Sequence, residues 1–598
     1  MTLLTPGVRF LSRGLAYASI LFGGVIGATR VAHSKGIFVP LWMALAGAVF
    51  AGPAFVGLYI TAGELKKKRR AAQLGARVVP KANGKKFGNL DVLEDALKNM
   101  KVGYPGDGLD AILEAKGPVI NLWVLWSDSI ISVCPDHIKT ILATDFQNYV
   151  KGERFIANMG SVLGTGVFNS DGEMWKFHRG ITRPIFTKDR IADFDMFDHH
   201  AEIVIGKLKE RLRQGYAVDF QDVMLRFTLD TATQFLFGHC VNSLEANLPY
   251  PHFAPEHLRN IQDGPTGRAA NAFAEAFMAA QEAISNRERI GWISPLFEIR
   301  KDPTEEPMKI VNAYIEPIVK EAILRKQNAP PLDDKEKEEA VKGQSLIDHL
   351  IDLTTDPVVL RDETLNELIL AGRDTTASTL TFCMYLLSQH PHVYERLRKE
   401  ILDRVGPNRR PTFEDLKDLK YLRAVLNETL RLFPIVPFNI RESINETTWV
   451  SPDPNQKPLY IPAGTKTGYS VFMMHRRKEL WGPDAEEFDP DRFLDERVKK
   501  YLVKNSFIFL PFNAGPRICL GQQYAYNEMS FMMIRLMQNF SGASFHQDSV
   551  PPEGHVPRAW KSAPGRKSIE NVFPKLHLTM YAGGGLWLRL DEAESSES

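Results

Sequence analysis

Cysteine is scarce in this 598-residue chain: there are four, far apart at Cys134, Cys240, Cys383 and Cys519. No Cys-x-x-Cys pair occurs, which excludes a disulfide-stapled scaffold or a zinc ribbon and fits a reducing compartment. The chain also lacks a GxGxxG dinucleotide fingerprint and a Walker phosphate loop, so any electrons it uses come from elsewhere. Charge of either sign is not in surplus. Lys and Arg number 73 against 72 Asp and Glu, a net +1, and nothing in that balance points to a nucleic-acid partner. At 44% hydrophobic and 24% charged, the composition is that of a globular protein.

Long apolar runs are present, and both lie near the N-terminus. Residues 37–62 carry no charge and exceed the roughly 20 residues a membrane-crossing helix needs. The cluster Lys66-Lys-Lys-Arg-Arg70 follows, a stop-transfer signal that keeps the remainder cytosolic. The upstream run 15–28 is short for a span and is flanked by Arg13 and Arg30, so a second span and an interfacial helix both stay open. The expected organisation is a membrane anchor over 1–70, a basic linker over 71–102, a catalytic domain over 103–590 and an acidic tail over 591–598. Within the third part, 119–126 and 129–133 read as a β-hairpin, and 152–167 as a glycine-rich apolar loop. Residues 186–347 read as helical, with a solvated charge run at 333–339. Two short strands are expected about Gly583-Gly-Gly585.

Four constellations stand out. Trp175 and Arg179, four apart after the apolar loop, share one helix face and offer an N–H and a guanidinium. Such a pair suits carboxylates, though it is also ordinary surface stacking. Residues 362–390 predict a long helix capped by Asp362 and stopped by Pro391. At its centre, Ala371-Gly372-Arg-Asp374-Thr375-Thr376 breaks the helix rules, which marks either a working site or threonines bonded back to carbonyls one turn earlier. Glu428 and Arg431 pair at i, i+3 on an apolar helix, and Arg492 is a third member that would offset the cost of burying them. Last comes Phe512-x-x-Gly515-x-Arg517-x-Cys519-x-Gly521, which puts a thiol in a glycine-rich bend before a helix N-terminus, where a thiolate is stabilised. Gly515 would let the backbone approach a flat ligand, Gly521 would allow close helix packing, and Phe512 could cover the sulfur.

This loop resembles the haem-binding loop of the cytochrome P-450 family, and the other three constellations follow the family's order over about 103–590. The resemblance implies a mostly α fold with a small β region behind an N-terminal transmembrane anchor. It implies haem b with Cys519 as its thiolate ligand, and propionates held by Trp175, Arg179, Arg441 and Arg517. Thr375 and Asp374 are implied as catalytic residues over the face where O2 binds, and Glu428, Arg431 and Arg492 as a structural network. His475 could lie near the propionates or simply cap. The chemistry implied is insertion of one oxygen atom into a C–H bond of a lipophilic substrate. Electrons would come from an NADPH-cytochrome P-450 reductase, with a cytochrome b-type protein as a second donor, at the endoplasmic reticulum membrane. The wording of 163–172 and 512–522 looks most like fungal alkane and fatty-acid hydroxylases; polycyclic aromatics, sterols and a reductase-independent isomerase or dehydratase are the alternatives.

Overall fold

The computed structural model describes residues 5–186, 191, 194–328, 345–354, 356–365 and 372–594. The charge run at 333–339, Ala371 and residues 595–598 of the tail lie outside them. Two helices open the chain: α1 (Pro6–Ser34) and α2 (Leu41–Gln73). The Thr5 hydroxyl accepts from Val8 N at 3.3 Å to cap α1. Both helices are long and apolar enough to cross a membrane. Tyr17, Ile20, Trp42, Phe50 and Tyr59 stand exposed on them with no protein to bury against, as in helices that are apolar on all sides. The run 15–28 therefore belongs to a 29-residue helix, and the second apolar run starts its helix at Leu41 rather than residue 37.

The expected linker over 71–102 is instead built into the body. Arg77–Val78 pairs in parallel with Leu459–Ile461, Ala82 N donates to Asn121 O, and α3 (Leu90–Val102) is an amphipathic helix. Its basic, Gly/Pro-containing composition concealed two apolar positions, Val78 and Val79, that a short strand can use. Lys67–Asp128, Lys81–Glu64 and Arg70–Glu446 ion pairs tie the end of α2 to the same region.

The 119–121 and 129–132 strands form the expected antiparallel hairpin. It is the edge of a five-stranded sheet that continues through Lys466–Ser470, Phe438–Ser443 and Tyr149–Val150. Residues 152–167 depart from the expected loop: α4 (Glu153–Leu163) occupies most of them. Gly152 at φ 84° and Gly164 at φ 54° bound this helix, so the glycines that suggested a loop are its ends. Then come α5 (Gly172–Thr182), α6 (Phe194–Arg213), α7 (Phe220–Phe237), α8 (Pro265–Ile290) and α9 (Glu305–Gln327).

Of the long helix expected over 362–390, the described residues form Pro357–Leu365 and α10 (Asp374–Gln389), with residues 366–371 lying outside them. Asp362 sits inside the first piece, and Asp356 accepts from Val358 N at 2.8 Å at its start. The body closes with α11 (Lys420–Leu432) and α12 (Gln522–Asn539), which packs between α6 and α10. The strands on either side of Gly583–585 join different sheets: Met580–Gly583 pairs with Phe573–Leu576, and Trp587–Glu592 with Phe540–Phe545. One hydrophobic core runs through the helices and the sheet together.

Candidate active site

The Cys519 loop is held by its own backbone. Cys519 N donates to Phe512 O at 3.1 Å, and Ile518 N to Gly515 O at 3.0 Å. Gly515 has φ 67°, and a Cβ there would stand 1.9 Å from the Leu142 carbonyl oxygen. It does not line the chamber beneath the loop, and the Leu142 contact by itself requires glycine there. Gly521, just before α12, does line the chamber, and a Cβ there would meet the Phe186 ring at 3.3 Å. Phe512 lines it too and packs on Tyr526 with ring centroids 5.1 Å apart. Cys519 is the exposed cysteine of the four, and its surface opens into this chamber of about 590 Å³. By contrast, burial pushes the Cys240 and Cys383 thiols up to about 12, which leaves them inert.

Cations crowd one side of the chamber. Trp175 is buried on α5 with the Arg517 guanidinium 4.6 Å and that of Arg179 5.8 Å from its ring centroid. Arg179 Nη2 donates to Ile518 O at 2.9 Å, beside the cysteine. Arg517 Nη2 donates to Asp171 at 2.7 Å and Ser170 O at 3.0 Å, while its Nε is buried with no hydrogen-bond partner among the described residues. Burial, followed by repulsion from Arg441, lowers Arg517 to about 10. Arg441, itself buried, donates to Ile440 O at 2.7 Å. Lys151 was not singled out in the sequence, yet it lies here as well. Burial and then the charges of Arg441 and Arg517 hold its amine well below the usual lysine range. Arg517, Arg441 and Lys151 repel one another along this buried wall, and two carboxylates of a flat ligand would offset that charge. These residues and the open thiol fit haem.

Across the chamber, Gly372 and Arg373 form a widened, π-type turn leading into α10. Gly372, Thr375, Thr376 and Thr379 line the chamber. Asp374 does not. It is buried, accepting from Arg373 Nη1 at 2.9 Å and from Gln281 Nε2 at 2.9 Å, so its carboxylate braces the turn instead of opening into the chamber.

A family model described as cytochrome P450 matches residues 107–565. The chain belongs to the cytochrome P450 family. It is 38% identical over 427 residues to cytochrome P450 52-M1 of Starmerella bombicola, covering 69% of this chain and 75% of that one. Cytochrome P450 52A3-A of Candida maltosa is 35% identical over 478 residues, 77% and 85% of the two chains. Cytochrome P450 monooxygenase pvhE of Talaromyces variabilis is 32% identical over 507 residues, 82% and 85%. This P450 is accordingly an oxidoreductase of the monooxygenase class.

Beneath the cysteine loop of the P450 lies the carboxylate–arginine network. Glu428 Oε2 accepts from Arg431 Nε at 2.7 Å, and its Oε1 accepts from Arg492 Nε at 3.4 Å; all three are fully buried. The arginines have further acceptors, His475 O at 2.8 Å for Arg431 and Trp481 O at 3.0 Å for Arg492. Those extra bonds offset the desolvation that burial costs. His475 joins this network and not the cationic wall. Leu510 N donates to its Nε2 at 3.0 Å, which leaves Nδ1–H to donate to Arg431 O at 3.1 Å. Burial and the adjacent Arg431 charge push its pKa well down, so the ring stays neutral and pins the start of the cysteine loop.

Proposed function

We propose that this P450 hydroxylates long aliphatic chains, fatty acids or alkanes, at the endoplasmic reticulum membrane. The observation that carries the reading is the chamber itself. One wall bears the Cys519 thiol and the cations, and much of the rest is apolar, with Phe155, Met159, Leu163, Phe235, Ile435 and Phe438. Haem, when bound, supplies the activation of O2 and the oxidation of an unactivated C–H bond. Cys519 would be its iron ligand, with Phe512 and Gly521 beside it. Trp175, Arg179, Arg441, Arg517 and Lys151 would hold its carboxylates. Thr375 lines the chamber across from the cysteine loop, and its hydroxyl would hold a proton there. Asp374 acts at one remove, through the widened turn it braces. The apolar lining excludes water and orients a flexible chain by contact alone, which suits a substrate with few polar groups.

With no dinucleotide or flavin motif in the chain, electrons come from a separate NADPH-cytochrome P450 reductase. The helices α1 and α2 form a membrane hairpin, and the basic end of α2 keeps the catalytic body on the cytosolic face. The resemblance to fungal alkane and fatty-acid hydroxylases supports the same substrate class. The test is product-resolved turnover of the full chain with a reductase, offered an n-alkane, a fatty acid, a sterol and a polycyclic arene together. Alcohols of the two aliphatic substrates are expected. Oxidation of the sterol or arene alone would discard the substrate class and leave the enzyme class in place.

A further inference from the structure

One stripe of helix α8 carries three polar side chains toward the interior at i, i+4 and i+8: Gln281, Ser285 and Arg289. Gln281 Nε2 is bonded to Asp374, next to Thr375. Ser285 is 4% exposed, lines the chamber, and its hydroxyl has no hydrogen-bond partner among the described residues. Arg289 also lines the chamber. Its Nη2 donates to the carbonyls of Leu576 at 3.2 Å and His577 at 3.1 Å, and no carboxylate is within ion-pair distance of it among the described residues. Of the neighbouring carboxylates, Glu288 is committed to Lys466 and to Asn158, and Glu282 acts on Arg289 through its charge without forming an ion pair among the described residues. Burial lowers Arg289 to about 10, which leaves it charged at neutral pH but poorly solvated.

A guanidinium and an orphan hydroxyl, one turn apart on the same wall of an apolar chamber, make a receptor for a planar anion. Resting on the aliphatic-chain reading above, we propose that Arg289 and Ser285 bind the carboxylate of a long-chain fatty acid. The anchor lies two helical turns along α8 from Gln281, about 12 Å, so the acid's hydrocarbon chain runs along the helix toward Thr375 and keeps the carbons next to the carboxylate away from it. The position also suits delivery from the bilayer. Helix α8 ends at Ile290, and the following Gly291–Phe297 turn leads to residues that hold the start of α1: Gly7 N donates to Glu298 O at 3.2 Å and the Thr5 hydroxyl to Ile299 O at 2.7 Å.

The experiment uses the full-length holoenzyme in lipid, with spectral titration by a long-chain fatty acid, its methyl ester and the n-alkane of equal length. Wild type should bind the acid about tenfold or more tightly than the ester, the worth of one charge-assisted hydrogen bond. Arg289→Gln should collapse that ratio toward one, Arg289→Lys should keep part of it, and Ser285→Ala should reduce it, each variant first being shown to retain the thiolate band of the reduced CO complex. Product analysis of the acid should find oxidation away from the carbons next to the carboxylate. Equal binding of acid and ester by wild type overturns the proposal without any variant, as does an unchanged ratio in Arg289→Gln. An enzyme that takes the alkane and the ester but shows no acid preference has lost only this anchor, whereas one that takes none of the three has lost the aliphatic reading as well.

Discussion

Glu528 has no exposed surface on α12, and the hydroxyls of Thr231 and Thr376 face it. Burial pushes its carboxyl up from an ordinary 4.5 to about 8. The folded protein therefore holds this proton where the unfolded chain has released it, and the group's contribution to stability falls as pH rises between those two values. The expected outcome is that Glu528→Gln gains on wild type in thermal unfolding from pH 5 to pH 8. Parallel curves across that range would show the carboxyl to be ionised in the fold. Residues of this kind were invisible in the sequence, as were Lys151 and Ser285. Each is an ordinary polar residue in its own segment and becomes unusual only through what other segments remove from around it. Cys519 and the Glu428–Arg431 pair were legible because their meaning depends on short spacing within one loop or one helix.

Among the elements, the cysteine loop depends on a backbone conformation as much as on its ligand residue. Gly515→Ala would add a Cβ inside the Leu142 carbonyl and force a side chain into φ 67°. Both effects strain the turn that delivers the Cys519 N–H to Phe512 O. The variant is expected to lose haem incorporation, read as the reduced-CO band per mole of protein, far more than Gly521→Ala, where the neighbour is one edge of the Phe186 ring. Helix α4 teaches the converse lesson. Its two bounding glycines looked like loop residues because a cap and a loop call for the same positive φ; only the packing of Met159, Val162 and Leu163 into the core makes it a helix.

For the whole molecule, the body takes up the chain directly after α2, with no free linker over 71–102. The ion pairs of Lys67, Arg70 and Lys81 are partly exposed and individually contribute little. The strand and helix that follow are different. Removal of the chain through Gln73 should leave a folded, haem-binding body with its melting temperature nearly unchanged. Removal through Val102 strips Arg77–Val78 from Leu459–Ile461 and takes α3 away, and it should lower melting by several degrees. Equal melting of the two truncations would return residues 74–102 to the status of a linker.

The amino-acid order alone determined the membrane anchor, the mostly helical body, the thiol loop and the family to which they belong. These features are written in contiguous runs and short spacings, where local hydropathy and backbone sterics act directly. Tertiary structure decided the rest. It made Asp374 a brace outside the chamber, put His475 in the arginine network, and brought Lys151 to one cavity with Ser285 and Arg289 from a distant segment. Those assignments depend on burial and on which charges face each other, and both are set only when the chain has packed.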